Sequence, residues 1–204
     1  MSIHTLIPSI KLFIMSSKVS KLHTLIQRIY YRKLYQKGKV GHNVRLSRHG
    51  TVVNPQEVTI EDNVFISEYF HISAYSFKIG RDVIIGPRLT VICNNHIFSR
   101  LGQTVYDYAS EKTYKPIEIK PDSWLGANVT LLPGVTIGQG CIVGAGSVVN
   151  KSLPPYTVCV GVPCKPIKTR FSKEDIFKHL SQISWNNLDA EDVVEEWNRN
   201  KINI

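Results

Sequence analysis

The sequence predicts a mainly β chain wound as a parallel β-helix, and three observations carry that expectation. Aliphatic residues return at a spacing of six through Ile119, Leu125, Leu131, Ile137, Val143 and Val149. A strand repeats every two residues and an amphipathic helix about every 3.6, so a sustained period of six implies short strands that each turn a corner. Gly126, Gly138 and Gly144 follow their aliphatic residue directly, where a corner would call for backbone angles closed to residues with a Cβ. Asn150 is the next most tolerant type, and Lys120 and Leu132 break the pattern. Four residues after each aliphatic come Ser123, Val129, Val135, Cys141, Ser147 and Leu153, mostly small enough to point inward beside the aliphatic row. Stacked coils that touch only their neighbours would then share one continuous core.

The chain is expected to begin with a basic helical arm, residues 1–36. Lys11, Lys18, Lys21, Arg28, Arg32, Lys33, Lys37, Lys39, Arg45 and Arg48 all precede the first acidic residue, Glu57, so the formal net charge of +9 is concentrated near the N-terminal end. Leu22, Leu25, Ile26, Ile29 and Tyr30 recur at helical spacing, with Lys21, Arg28 and Arg32 around the other sides, and predict a helix that stops near Gly38. Nucleic acid, an anionic membrane or a phosphate-bearing substrate could each answer such a charge. The apolar stripe favours docking against the body or a neighbouring subunit, and peripheral membrane contact through residues 1–36 is the sharper alternative. Pro8 and Lys11 interrupt TLIPSIKLFIM, no small-residue cleavage site follows, and no apolar run reaches the roughly 18 residues of a span. A cytoplasmic protein is expected, with the inner face of the membrane as the setting if the arm binds lipid.

Residues 37–168 are expected to form the coiled domain. Val40, Leu46 and Val52 start the repeat, which slips at Asn54 and Pro55, resumes at Ile60, Ile66 and Ile72, gains one residue, and continues at Ile79, Ile85 and Val91, with Gly80 and Gly86 at corners. Residues 97–118 lose the period altogether. Structureless loops beyond about 12–15 residues are uncommon inside compact domains, and the position of this one directly after His96 points to function. In the tail, residues 169–204, Ser172 can cap a helix bearing Ile176, Phe177, Leu180 and Ile183, and Asp189 a second bearing Val193, Val194 and Trp197. Their expected role is to cover the open end of the solenoid. Cys93, Cys141, Cys159 and Cys164 show neither CxxC nor zinc-ligand spacing and are expected to be reduced structural thiols. A hydrophobic content of 43% suits one well-filled domain with appendages.

The stretch LGANVTLLPGVTIGQGCIVGAGSVVNKSLPPYTVCVGVPCKPIK resembles the hexapeptide-repeat acyltransferases, within them the galactoside, maltose and xenobiotic acetyltransferase group. With its basic arm, Asn-His motif and GVPCKPIK ending, the chain looks most like bacterial O-acetyltransferases of surface polysaccharides. The resemblance covers roughly residues 40–170. It implies a left-handed parallel β-helix of triangular cross-section; the period alone would not supply the hand, since crossovers are right-handed as a rule. It also implies a homotrimer with active sites between subunits, acetyl-CoA as acyl donor, and no requirement for a metal.

Acetyl transfer to a hydroxyl needs a base with a pKa near the working pH, which an imidazole near 6.5 provides. Asn94-Asn95-His96, a loop, and then Trp124-Leu125-Gly126-Ala127-Asn128 resemble the family's catalytic-histidine arrangement, which makes His96 the expected base. By resemblance the pantetheine arm runs along Gly126, Ala127, Ala145 and Gly146, with Asn150, Lys151, Lys165 and Lys168 toward the nucleotide and Arg170 as a further contributor. Asn95, His71 and Trp124 are expected around the acceptor. The family often has Arg where Lys165 stands, so a point charge replaces a planar fork.

The expected reaction is direct transfer to a carbohydrate hydroxyl, the thiolate of coenzyme A leaving and a backbone N–H, such as one in the Gly126 region, meeting the oxyanion. Partners are expected to be the carbohydrate acceptor and further copies of the chain, with no nucleic acid. Four alternatives compete. Cys93 lies three residues from His96 and could act as a covalent nucleophile. The acceptor could be an amine of an amino sugar nucleotide or antibiotic. A zinc lyase would need three imidazoles per metal, with His71 and His96 as candidates. A non-catalytic β-helical scaffold would use the repeat only as a stiff platform.

Overall fold

A computed structural model describes residue 29 and residues 31–202 of the chain. Most of the expected basic arm, residues 1–36, therefore lies outside the described residues. From Lys39 onward, strands of two to five residues are dealt in rotation onto three sheets. The first sheet has five strands, 39–40, 58–60, 77–79, 117–119 and 136–137. The second has seven, 45–46, 65–66, 84–85, 124–125, 142–143, 157–160 and 165–169. The third has five, 51–53, 71–73, 90–92, 130–131 and 148–149. Within these three sheets pairing is parallel except in the closing pair Thr157–Val160 with Lys165–Thr169, and the excursion adds a separate antiparallel pair, 94–96 with 112–114. This is the β-helix the six-residue period predicts.

The register shows why that period exists. Ile60, Ile79, Ile119 and Ile137 stack on the first sheet, Leu46, Ile66, Ile85, Leu125 and Val143 on the second, and Ile72, Val91, Leu131 and Val149 on the third. All of these are at most 1% exposed. Each such side chain contributes about 1.5–3 kcal/mol by leaving water. Ser123, Val129, Val135, Cys141, Ser147 and Leu153 are also buried, as their position in the repeat predicts. Val40 and Val52 are only partly buried, because they sit on the first coil, which has a neighbouring coil on one side only.

The corners correct one expectation. Gly126, Gly138 and Gly144 do not carry a left-handed backbone; positive φ falls two residues later, at Asn128, Gly140 and Gly146, and likewise at Asn63, Asp82, Arg88, Asp122 and Gly134. Glycine follows the aliphatic for a different reason, the close approach of the next coil. A Cβ on Gly126 would lie 2.7 Å from the amide nitrogen of Ala145, and one on Gly138 would lie 2.6 Å from that of Pro155. Asn and Asp tolerate the left-handed turn and join it laterally: Asn43 donates to Asn63 at 2.9 Å and Asn63 to Asp82 at 2.8 Å.

Both ends of the solenoid are closed. Helix α1 (Arg32–Lys37) ends at Gly38, as predicted, and buries Leu34 with Tyr31 against the first coils; Tyr31 stacks on Phe70 at 5.6 Å and accepts a hydrogen bond from the Gly50 amide at 3.0 Å. At the other end the chain reverses after Gly161, and the Cys164 amide donates to Val148 O at 2.8 Å, burying Cys164. The two tail helices form with the expected caps: Ser172 accepts from Asp175 N ahead of α2 (Lys173–Gln182), and Asp189 from Glu191 N ahead of α3 (Ala190–Arg199). Their placement differs from the expected plug. They pack along the edge between the first and second sheets, where Tyr156, Ile176, Leu180, Val193 and Trp197 make a second small core. Trp197 Nε1 donates to Pro155 O at 2.7 Å, and Gln139 Nε2 to Asn186 Oδ1 at 3.0 Å. Short side chains at 161–164 close the last coil, which leaves the apolar faces of α2 and α3 to find the edge instead.

Candidate functional site

The excursion after the third sheet is an ordered structure. Asn94–His96 pairs antiparallel with Lys112–Tyr114, matching Asn94 with Tyr114, Asn95 with Thr113 and His96 with Lys112. Between them a 3-10 turn (Val105–Tyr108) is held by a reciprocal cap in which the Thr104 amide donates to Asp107 at 2.7 Å. Arg100 grips Glu111 with both terminal nitrogens, Nη1 to Oε1 at 2.9 Å, and covers the buried Tyr108 ring at 5.1 Å. Two further bonds fasten the hairpin to the coil, Asn94 Nδ2 to Ser73 Oγ at 3.2 Å and Lys115 N to Cys93 O at 2.9 Å.

Alternation along this hairpin separates its residues. His96, Asn94, Lys112 and Tyr114 share one face, and Asn95 with Thr113 lies on the other. Asn95, expected beside the acceptor, therefore faces away from His96 on the hairpin. His96 itself is exposed. Cys93 is wholly buried, and burial pushes its thiol up from the ordinary range, so the short step in sequence does not bring a thiolate to the imidazole. That removes the geometric basis for the covalent alternative.

The remaining candidates divide between the two edges of the third sheet. Asn150 and Lys151 follow Val149 as Ile92 and Cys93 follow Val91, which puts them on the edge that carries His96, two coils away. With strands about 4.8 Å apart, that is about 10 Å along the axis. Gly126, Ala127, Ala145 and Gly146 form the opposite edge, between the second and third sheets. Ala127 and Pro133 bracket one strand of the third sheet, so the two edges stand on the order of 15 Å apart. A single chain thus keeps the histidine and the small-residue corner separate.

Small size matters at that corner. Nothing stands within 4 Å of a Cβ built on Gly146, which leaves its backbone open along the edge. The Gly126 amide, expected as an oxyanion donor, already donates to Val143 O at 2.8 Å and is not free for that task. His71 pairs in register with Thr90 and lies exposed at the start of its strand, on the side of the small-residue corner. Trp124 is 52% exposed on the outer face of the second sheet beside Ile84, itself 53% exposed, so it is not a core residue. Lys165 and Lys168 are exposed on the outermost strand of that sheet, opposite Val160 and Val158.

Arg170 has turned the other way. Its Nη1 donates to Asp122 Oδ2 at 2.8 Å and to Gly140 O at 3.1 Å, on the edge between the first and second sheets, so it is a tail anchor. Sequence reasoning gave no site role to Tyr75, Tyr114 or Lys112. The signal was weak, because only the register of the hairpin sets Tyr114 and Lys112 on the face of His96. Among the described residues no group of three or more His, Cys, Asp or Glu side chains could hold a metal ion, and no helix is long and apolar enough to cross a membrane.

Comparison with known proteins agrees with this architecture. Residues 116–151 match the family model for bacterial transferase hexapeptide repeats. WbbJ of Escherichia coli (strain K12), whose name assigns it to lipopolysaccharide biosynthesis as an O-acetyl transferase, is 37% identical over 134 residues, 63% of this chain and 66% of WbbJ. The chain thus spans about two thirds of that relative's length. The hexapeptide-repeat acetyltransferase VCA0836 of Vibrio cholerae O1 biovar eltor, solved in complex with acetyl coenzyme A, superposes with a TM-score of 0.64 at 28% identity, over 72% of this chain and 79% of that one. Galactoside O-acetyltransferase of Escherichia coli (strain K12) is 31% identical over 160 residues, 74% of this chain and 70% of the enzyme. On that extent of likeness, joined to the three-sheet coil, the chain belongs to the hexapeptide-repeat acetyltransferases.

Proposed function

We propose that the chain transfers an acetyl group from acetyl-CoA to a sugar hydroxyl of a surface polysaccharide or its precursor, with His96 as general base. The observation that carries the reading is the division of the candidate residues between the two edges of the third sheet. In a cyclic trimer with that sheet turned toward the axis, the His96 edge of one subunit meets the Ala127 and Gly146 edge of the next, three times over. The acceptor hydroxyl gives its proton to His96, its oxygen attacks the thioester carbonyl, and coenzyme A leaves as thiolate. Small residues along the second edge let the pantetheine arm approach the backbone, and Lys165 and Lys168 meet the phosphates as point charges. Relatives named for O-acetyl transfer support the hydroxyl acceptor.

The test is turnover of acetyl-CoA with a glycan panel followed by mass spectrometry. His96→Ala is expected to lower turnover by about 10² to 10⁴ while coenzyme binding persists. Retained turnover would overturn the assignment. Mixed trimers of His96→Ala with an Ala145→Trp variant, each inactive alone, are expected to recover measurable turnover; no recovery would mean that each site is built within one chain.

A further inference from the structure

We infer that Tyr114, backed by Tyr75, forms the platform on which the acceptor's pyranose ring packs beside His96; this rests on the sugar-acceptor reading above. Four observations converge. Tyr114 shares the His96 face of the hairpin and is its diagonal neighbour, since His96 pairs with Lys112 and Asn94 with Tyr114. Such diagonal positions lie about 7–8 Å apart, a gap that one sugar ring spans. The Tyr114 and Tyr75 rings pack against each other, tilted by 31° with centroids 4.6 Å apart, yet remain 45% and 43% exposed. Tyr75 belongs to the body, two residues beyond the strand His71–Ser73, so the pair clamps the excursion to the coil at the level of the histidine.

Rigidity completes the argument. The hairpin is held by the Arg100–Glu111 fork, the Thr104–Asp107 cap and the Asn94–Ser73 bond, none of which uses either tyrosine. A preordered aromatic surface loses little entropy on binding, and its face suits the C–H side of a sugar ring while leaving the hydroxyls at the ring's rim free. A hydroxyl on the rim nearest the hairpin's outer end then meets His96. The class of acceptor is a ring, not an open-chain alcohol.

The 204-residue chain would be assayed with acetyl-CoA and a panel of methyl pyranosides, glycerol serving as the open-chain hydroxyl. Tyr114→Ala is expected to raise KM for the pyranosides by about tenfold with a much smaller change in kcat, as loss of one aromatic contact implies. Tyr114→Trp should keep KM low, and KM for acetyl-CoA and for glycerol should not move. Saturation-transfer NMR with aromatic irradiation should label the ring C–H protons of the pyranosides, and Tyr75→Ala with Tyr114→Ala should abolish the signal. Unchanged pyranoside KM, or no saturation transfer to any pyranoside, would overturn the platform. So would a double variant whose sedimentation shifts while KM stays, since the face would then pack against a neighbouring copy. Absence of turnover with every hydroxyl acceptor, alongside intact saturation transfer that the tyrosine variants abolish, would instead sink only the proposed reaction.

Discussion

Arg170 reaches back 48 residues to Asp122, its Nη1 at 2.8 Å from Oδ2 and 3.2 Å from the main-chain oxygen of the same residue. Its guanidinium also covers the Phe171 ring at 4.9 Å. One side chain thus ties the start of the tail to the coil edge on which α2 and α3 rest. Both members of the ion pair are about a quarter exposed, 25% and 23%, so breaking it costs less than breaking a fully buried pair. Arg170→Ala is expected to destabilise by about 1–3 kcal/mol, measured by urea unfolding followed through tryptophan fluorescence. Arg170→Lys should recover only part, because an ammonium keeps the charge but loses the planar guanidinium that covers Tyr156 and Phe171.

The glycines at the small-residue edge should separate stability from binding. Gly126→Ala forces a Cβ to within 2.7 Å of the Ala145 amide nitrogen, which is backbone and cannot move aside. A loss of about 1–3 kcal/mol is expected, seen as a lower unfolding midpoint. Gly146→Ala meets nothing within 4 Å but sits at φ +74, so the strain is about 1–2 kcal/mol. If that edge holds the pantetheine arm, calorimetry with coenzyme A should also show weaker binding for Gly146→Ala.

Cys93 should be dispensable for chemistry. Burial holds the thiol protonated above its ordinary range, so alkylating reagents at neutral pH should leave it unlabelled in the folded protein. Cys93→Ser should preserve turnover at some cost in stability. Loss of turnover in a protein that still folds and binds coenzyme would restore the covalent route.

Glu196 lies half-buried on α3 in a cleft of about 510 Å³ between the first sheet and the tail, and burial raises its carboxyl above the usual 4.5. A carboxyl whose folded pKa is raised binds protons more tightly in the native state. Its protonation therefore favours folding at low pH, and that benefit disappears as pH rises through the folded value. Glu196→Gln is expected to stabilise the protein at neutral pH, with the gain fading as pH falls through the raised folded value and gone below about pH 4.5. Chemical unfolding of both proteins from pH 4 to 8 would check it; a gain that is constant with pH would assign the effect to packing.

Much of the coil could be read directly from spacing. Ile119, Leu125 and Leu131 announce one turn of the helix because a six-residue return has no other packed solution, and Ser172 and Asp189 announce the tail helices by local hydrogen bonding alone. The reason for glycine at 126 and 138 could not be read so. A φ requirement and a close approach favour the same residue, and only the neighbouring coil tells them apart.

The candidate site follows the same division. Sequence by itself determined the repeating core, the end of α1 at Gly38 and the caps of both tail helices, since each depends on residues close in the chain or on a strict period. Tertiary structure alone decided that Asn95 faces away from His96, that Arg170 serves the tail, that Tyr114 shares the hairpin face of His96 and packs on Tyr75, and that the histidine and the small-residue corner occupy opposite edges of one sheet. Those facts depend on register and on which coils stack, and the energy that sets register is shared among many side chains distant in sequence, so no local pattern records it.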